Sequence, residues 1–289
     1  MKGTLALRFD VDSVRCIEDG IPSLSAVARK HGVLFTYFVN MGYSFNWTHT
    51  FRHAVRKRLN PPSPDPSKPV GRPLSALEKL GIGGILKTMF LNPKLGDWYR
   101  DTFDQLFHEG HELALHGGTD HAIWQRSLHE LSEKEIRRLF LPAYEKFSSR
   151  YGKPAGFAAP GFVYNDTVLD LLDEFGFEYS SDMLGEEPFR TATGEGRVCD
   201  HYQVPVNVIG TAHVPIIEEM LSAGTKRSAI VKRCVEEIRS RRFSLLYGHP
   251  FVEGVHSDIL DRVIAEVQEE FEIVPMRDFL RRWKENQGG

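Results

Sequence analysis

The feature of this chain that most restricts its fold is the alternation of short apolar segments with longer amphipathic ones. Segments rich in β-branched and aromatic residues, typical of buried strands, cover residues 4–9, 34–39, 112–116, 156–159, 179–181, 203–208, 243–247 and 271–274. Helical patterns lie between them at residues 21–31, 97–109, 132–151, 167–175, 226–240 and 257–270. This alternation predicts an α/β fold with a mainly parallel sheet, open or closed into a barrel.

Two of the predicted helices have recognisable starts. Ser132 lies three residues before Glu135, which is the spacing of a capping box. Residues 165–167 form a run of N-cap formers before the helix at 167–175. These signals support the predicted helix boundaries.

Composition and charge narrow the class of protein. The chain has 289 residues, of which 41% are hydrophobic, and a net charge of -3, so we expect a globular protein that does not bind nucleic acid. Its three cysteines, Cys16, Cys199 and Cys234, are too few for a disulfide framework, and the odd count suits a reducing compartment. No apolar run reaches the roughly 18 residues of a membrane span, and no signal peptide precedes the first strand, so we expect a cytoplasmic protein.

Residues 51–96 interrupt the alternation. A basic stretch at 52–58 is followed by a proline-rich linker at 61–73 and an apolar stretch at 74–95. One interpretation is an insertion that packs on the domain like any other helix. The other is a lid or an interfacial segment, because cationic residues beside apolar helical faces suit a membrane surface or a lipid-linked substrate. We expect one catalytic domain over residues 1–289, with 51–96 inserted in it.

Polar residues that can do chemistry follow three predicted strands. Asp10 and Asp12 end the first strand, and because alternate residues share a face, one carboxylate can bind a metal while the other acts as a base. His116 ends another apolar run and precedes two glycines, Asp120 and His121, and His249 follows a third strand. Each group alone has a structural explanation as a turn or a packed histidine. Together they lie at the carboxyl ends of parallel strands, where α/β folds place their sites.

These residues resemble a known family. An Asp-x-Asp pair after the first strand, a histidine-rich turn and a Leu-x-x-His strand end at 246–249 are similar to the polysaccharide deacetylases, also called the NodB-homology or carbohydrate esterase family 4 group. Segments 9–15, 19–22, 115–125, 179–182, 204–206 and 249–254 are similar to a group of deformylases inside that family, which act on 4-deoxy-4-formamido-arabinose linked to undecaprenyl phosphate. The resemblance covers roughly residues 3–280.

The resemblance implies a deformed (β/α) barrel and assigns roles to residues. Asp10 is expected to be the general base and His249 the general acid, while Asp12 and His116 bind a divalent metal. The family pattern places the third ligand at Asp120; a one-residue insertion in the turn at 117–118 places it at His121, which we favour. Zinc is the favoured metal, with cobalt, nickel, iron and manganese as alternatives.

The resemblance also indicates which residues surround the substrate. Many deacetylases have an arginine where this chain has Ala158, and that arginine pairs with the base. Arg15 is the predicted substitute, and a backbone N–H near Phe162 is the predicted oxyanion donor. The substrate-binding residues implied by the resemblance are Arg15, Pro160, Gly161, Phe162, Asp182 and Glu253.

The function implied is removal of a formyl or acetyl group from an amino sugar, with polyprenyl phosphate as the expected carrier and peripheral membrane contact through residues 51–96. One alternative is a deacetylase of a soluble or cell-wall glycan, or a cyclic amide hydrolase. Another is a non-catalytic carbohydrate-binding homologue, against which the joint presence of Asp10, Asp12, His116 and His249 argues.

Overall fold

A computed structural model of the chain describes residues 2–46 and 91–287. The described strands form one parallel sheet in the order β6-β5-β4-β3-β2-β1-β7, with β8 also paired to β1. Their bounds are β1 (Gly3–Val11), β2 (Thr36–Val39), β3 (Glu112–His116), β4 (Gly156–Ala158), β5 (Tyr179–Ser180), β6 (Tyr202–Gln203), β7 (Phe243–Gly248) and β8 (Phe271–Ile273). The sheet curls into a half-barrel surrounded by helices, as the sequence predicts.

The described helices lie between and around these strands. They are α1 (Ile21–His31), α2 (Leu95–Trp98), α3 (Arg100–His108), α4 (His121–Ser127), α5 (Glu133–Tyr151), α6 (Asp166–Glu174), α7 (Ile216–Ser222), α8 (Arg227–Arg239), α9 (Pro250–Glu253), α10 (Ser257–Val267) and α11 (Met276–Gln287). None of these helices has the length and apolar character needed to cross a bilayer.

Strand β1 explains how the barrel separates core from site. Its Leu5, Leu7 and Phe9 side chains belong to the large core between the sheet and the helices. Ala6 belongs to a second cluster inside the barrel, and Arg8 and Asp10 share its parity along the strand. Arg8 and Asp10, the charged residues of β1, therefore lie on the inner face of the strand, which faces the interior of the barrel.

Both predicted helix starts are confirmed. Ser132 and Glu135 form a complete capping box before α5. The Asn165 side chain accepts a hydrogen bond from Val168 N at 3.1 Å and caps α6.

The structure differs from the predicted elements in three places. The strand expected at 203–208 pairs continuously only at Tyr202–Gln203, since Pro205 has no N–H to donate, and Val206 and Val208 form isolated bridges. The helix expected at 97–109 is two helices that meet at Tyr99, whose φ of -109° and ψ of 29° break the α conformation. Helices α4, α7, α9 and α11 were not predicted.

Most of the predicted insertion, residues 51–90, lies outside the described residues. Its end is described, and there Leu95 is fully buried.

Candidate active site

The residues predicted to be catalytic or metal-binding lie together at the carboxyl ends of β1, β3 and β7. Asp10 and Asp12, His116 and His121, and His249 all line one cavity of about 390 Å³. Parallel strands bring their ends to one edge, so residues far apart in sequence meet there. This cavity is the candidate active site.

Three of these side chains form a compact group of metal-ligating type. Asp12 Oδ1 lies 2.9 Å from His116 Nε2 and 3.3 Å from His121 Nε2. The donor atoms of the three residues all lie within 4.8 Å of one another. Asp12 Oδ1 and His121 Nε2 are buried, yet neither has a hydrogen-bond partner in the part of the chain that is described. Buried polar atoms without partners are costly, and one divalent cation would satisfy both, so these residues fit a metal.

The charge of Asp12 depends on the two histidines beside it. Burial alone would raise the pKa of Asp12, but the neighbouring His121 and His116 outweigh it and hold that pKa well below its usual range. A carboxylate that stays ionised beside two imidazoles is a suitable ligand set for zinc or a related divalent ion.

The local sequence around His116 explains why its Nε2 faces the group. His116 Nδ1 lies 2.9 Å from Ala158 O, so it donates to that carbonyl and leaves Nε2 as the acceptor. The next residue, Gly117, has φ of +62°, and a Cβ there would lie 2.5 Å from Pro160 Cγ. Only glycine fits this turn.

Both carboxylate oxygens of Asp120 accept hydrogen bonds from other residues. Its Oδ1 accepts a hydrogen bond from Ile123 N at 2.9 Å and caps α4, while its Oδ2 accepts one from Asn46 Nδ2 at 2.7 Å. His121 is the first residue of α4 and belongs to the metal-ligating group. The geometry therefore favours His121 over Asp120 as the third ligand.

Arg8, rather than the predicted Arg15, pairs with Asp10. Arg8 Nε donates to Asp10 Oδ1 at 2.9 Å and Arg8 Nη2 to Asp10 Oδ2 at 2.7 Å. Arg15 Nε instead lies 3.4 Å from Asp19 Oδ2. The prediction that Arg15 replaces the arginine missing at Ala158 is wrong, because the bidentate pair is already formed within β1.

Arg8 itself is held from several sides. It is fully buried and also donates to the Ser181 hydroxyl at 2.9 Å. Its guanidinium lies 4.9 Å from the Phe38 and Tyr247 ring centroids and 5.2 Å from that of Phe162. These contacts fix the plane of the guanidinium and, through it, the carboxylate of Asp10.

His249 lies on another side of the cavity, between the carboxylates of Glu218 and Asp12. Its Nδ1 is 3.3 Å from Glu218 Oε2 and its Nε2 is 3.5 Å from Asp12 Oδ2. Burial would lower the pKa of His249, but the hydrogen bond to Glu218 and the charges of Asp12, Glu218 and Asp10 raise it to about 9. The imidazole is therefore protonated at neutral pH, as a general acid must be.

Four predicted substrate-binding residues do not line the cavity among the described residues: Arg15, Pro160, Asp182 and Glu253. Asp182 Oδ1 accepts from Ala159 N at 2.6 Å, and Glu253 Oε2 accepts from His249 N at 2.6 Å. Both acids are buried and support the backbone beside the site, and their substrate-binding role stays a prediction.

Gly161 and Phe162 do line the cavity, in a turn with unusual backbone angles. Their φ values are +64° and +60°, and a Cβ on Gly161 would lie 2.6 Å from Gln125 Cγ. Phe162 N donates to Ala159 O at 2.9 Å, so it is not a free oxyanion donor. The N–H of Gly161 has no backbone partner among the described residues. Gly161, one residue before Phe162, is therefore the better candidate for the predicted oxyanion donor.

Three important site residues were missed by the sequence analysis: Arg8, Glu218 and Tyr247. Arg8 has the parity of Asp10 along β1, a signal that could have identified it. Glu218 lies 31 positions from His249, and no spacing rule connects them.

A second group of metal-ligating residue types, Asp173, Cys199 and His201, lies away from the cavity. Asp173 Oδ1 already accepts from His201 Nδ1 and from the backbone N–H groups of Asp200 and His201, and Asp173 Oδ2 accepts from Arg197. Hydrogen bonding accounts for the Asp173 carboxylate without a metal, whereas His201 Nε2 is buried without a hydrogen-bond partner among the described residues.

Comparison with known proteins shows which family this chain resembles. Residues 70–180, less than half of the chain, match the polysaccharide deacetylase family. A crystal structure described as a polysaccharide deacetylase from Mycobacterium smegmatis superimposes with a TM-score of 0.62 at 18% identity, over 99% of this chain and 92% of that one. Peptidoglycan deacetylase PdaC from Bacillus subtilis gives 0.54 at 12% identity, over 99% and 94%. At these identities the two structures establish the fold.

Two curated relatives of this chain carry one name. The chain is 25% identical to a protein of Shewanella sediminis over 96% of its own length and 85% of the relative's. It is 28% identical to one of Wigglesworthia glossinidia brevipalpis over 82% and 78%. Both are described as a probable 4-deoxy-4-formamido-L-arabinose-phosphoundecaprenol deformylase, ArnD. Deacetylases and deformylases of this superfamily are hydrolases of carbon–nitrogen bonds other than peptide bonds.

Proposed function

We propose that this protein is a metal-dependent amide hydrolase of the polysaccharide deacetylase type, which removes a formyl group from an amino sugar carried on a polyprenyl phosphate. The observation that carries the proposal is the group of Asp12, His116 and His121, whose donor atoms lie within 4.8 Å of one another in a cavity that Asp10 and His249 also line. The proposed metal ligands, general base and general acid thus face the same cavity. The proposed unit is a single catalytic domain over residues 1–289 with an insertion after the second strand.

Asp12, His116 and His121 would hold one divalent cation, with zinc favoured over cobalt, nickel, iron and manganese. A bound cation of this kind polarises a carbonyl and lowers the pKa of water, which an amide substrate requires. The remaining chemistry belongs to the side chains around the cavity.

Asp10 accepts the proton of the attacking water. Its carboxylate is held by two hydrogen bonds from Arg8, at 2.9 and 2.7 Å, so its orientation is fixed before the substrate arrives. The attack forms a C–O bond and moves negative charge onto the former carbonyl oxygen. The Gly161 N–H lies on the cavity wall and is the proposed backbone donor to that oxygen.

His249 completes the reaction. The carbon–nitrogen bond breaks, and the protonated imidazole donates a proton so that the nitrogen leaves as an amine rather than as an amide anion. Glu218 at Nδ1 stabilises the charged imidazole before the transfer.

The substrate proposal rests on the two relatives named as deformylases of an arabinose linked to phosphoundecaprenol. We propose that the reaction takes place at the cytoplasmic face of a membrane that contains such a substrate. Ser44 and Phe45 line the cavity just before the predicted insertion, so the insertion leaves the folded body at the rim of the site. We propose that it gives the lipid-linked sugar access and provides the peripheral membrane contact.

The test is a hydrolysis screen of the metal-loaded protein. Formate and acetate release would be measured on formamido and acetamido sugars, each supplied free and linked to polyprenyl phosphate. We expect formate release from the lipid-linked formamido sugar to be fastest. Preference for a free or polymeric acetamido sugar would favour the glycan deacetylase alternative, and no release from any amide would favour the non-catalytic one.

Asp10→Asn separates catalysis from metal binding. Because an amide group cannot accept the proton, we expect turnover to fall on the order of 10²–10⁴-fold while metal content stays unchanged. Asp200→Asn, at an exposed aspartate, is the control and should keep both. Near-normal turnover of Asp10→Asn would remove Asp10 from its role.

A further inference from the structure

Tyr247 places a hydroxyl group at the general acid. It is the second-to-last residue of β7, its side chain lines the cavity, and it is 4% exposed. The hydroxyl lies 3.0 Å from His249 Nε2. A buried tyrosine hydroxyl needs a hydrogen-bond partner, and here that partner is Nε2 of the His249 imidazole.

The other nitrogen of the ring is already engaged. His249 Nδ1 faces Glu218, whereas Nε2 faces the cavity and lies 3.5 Å from Asp12 Oδ2. A proton given to the leaving nitrogen must therefore come from Nε2. The Tyr247 hydroxyl lies beside the path of that proton.

The position of the hydroxyl is fixed by the tyrosine ring. The ring lies edge-on to Phe162, with centroids 5.3 Å apart, and the Arg8 guanidinium covers its face at 4.9 Å. Tyr247 and Arg8 are also partners in the β1–β7 register. One aromatic residue thus contacts the arginine that orients the base and the histidine that acts as the acid.

We propose that Tyr247 is a positioning residue for proton donation by His249, an inference that rests on the proposed hydrolase function. Its hydroxyl oxygen accepts the Nε2–H of the charged imidazole and holds the ring at the angle needed for transfer. When the carbon–nitrogen bond breaks, that proton passes from Nε2 to the nitrogen, and Tyr247 keeps its own proton. The tyrosine is unchanged after each turnover.

Tyr247→Phe removes the hydroxyl and keeps the ring that packs on Phe162 and Arg8. A hydrogen bond to a charged group is worth about 10- to 100-fold in rate, so we expect kcat to fall by that factor. KM, metal content and melting temperature should not change. Tyr37→Phe is the matched control, because Tyr37 is a fully buried tyrosine of β2 that does not line the cavity among the described residues.

A double-substitution cycle decides whether Tyr247 acts through His249. With the acid removed in His249→Ala, adding Tyr247→Phe should lower the residual kcat less than about twofold, within the usual error of additivity. A full 10-fold loss in that background, or a Tyr247→Phe enzyme with wild-type kcat, would overturn the proposal. Wild-type amide hydrolysis, measured alongside, tests the proposed function separately: if it is present, either result for Tyr247 concerns the tyrosine alone.

Discussion

At the scale of single residues, Arg8 pairs with Asp10, the proposed general base. Ala158, where the family resemblance implies an arginine, lies beside His116 in the β3–β4 register. Arg8 provides a guanidinium for Asp10 from β1 itself, two residues before the aspartate, and its contact with the carboxylate is bidentate.

Arg8→Lys tests this pairing. A lysine keeps the charge but offers a single ammonium group, so it cannot reproduce two parallel hydrogen bonds. We expect kcat to fall by about 10-fold or more while metal content is retained, since loss of an orienting contact costs about as much as a charged hydrogen bond. Steady-state kinetics with metal analysis would measure both.

Arg15→Lys is the matched control for that experiment. Arg15 lies beside Asp19 and outside the cavity lining among the described residues, so its substitution should leave kcat near the wild-type value. If Arg15→Lys lost activity and Arg8→Lys did not, Arg15 would regain the role that the sequence predicted for it.

At the scale of elements, the short helix α9 begins at His249, the proposed general acid. His249 is the N-cap residue of this helix, and the Glu253 side chain folds back to accept the His249 N–H at 2.6 Å. This resembles the backbone half of a capping box. Glu253 is fully buried and its Oε1 has no partner among the described residues, so burial raises its pKa to about 8.

The raised pKa of Glu253 makes stability depend on pH. Between the unfolded value of about 4.5 and the folded value of about 8, the folded chain binds a proton that the unfolded chain has released. The contribution of Glu253 to stability is therefore fully present below pH 4.5 and is lost as the pH rises through 8.

Glu253→Gln removes that dependence because a glutamine has the shape of the neutral acid and can still accept from His249 N. We expect its melting temperature, relative to wild type, to be a few degrees higher at pH 8.5 than at pH 5, about 2–4 °C per kcal/mol. Thermal unfolding at both pH values would measure this. Glu269→Gln, at an exposed glutamate, should show no such difference, and an equal shift for both variants would contradict the assignment.

At the scale of the whole molecule, the described residues on either side of the predicted insertion lie at one place in the barrel. Tyr43 and Lys94 form an antiparallel bridge, so the chain lies side by side there. Tyr43 also pairs with Asp120 at the start of α4, next to the metal-ligating group. We therefore expect a short linker to be able to join the two sides.

Replacing residues 48–90 by a short glycine–serine linker tests its role. We expect a folded, metal-binding protein that hydrolyses a free formamido sugar about as well as wild type but loses most of its activity on the lipid-linked one. Circular dichroism, metal analysis and formate release would follow the three properties. Unfolding of the shortened chain, or unchanged lipid-linked turnover, would instead support a segment that only covers the barrel.

The sequence by itself determined the α/β fold with a mainly parallel sheet and the strand ends that carry the predicted site residues, and the family resemblance implied that the sheet forms a deformed barrel. Apolar periodicity is a local property, and residues after β1, β3 and β7 must meet at one edge of a parallel sheet. That is why Asp10, Asp12, His116 and His249 were identified without coordinates. The capping box at Ser132 was predictable for the same local reason.

Only the tertiary structure decided which neighbours those residues have. His121 rather than Asp120 faces Asp12, because Asp120 caps α4 and binds Asn46. Glu218 and Tyr247 reach His249 from α7 and β7 through packing that no sequence spacing encodes. Hydrogen-bond partners across the barrel depend on the curvature and register of the sheet, and these are set by all of its strands together.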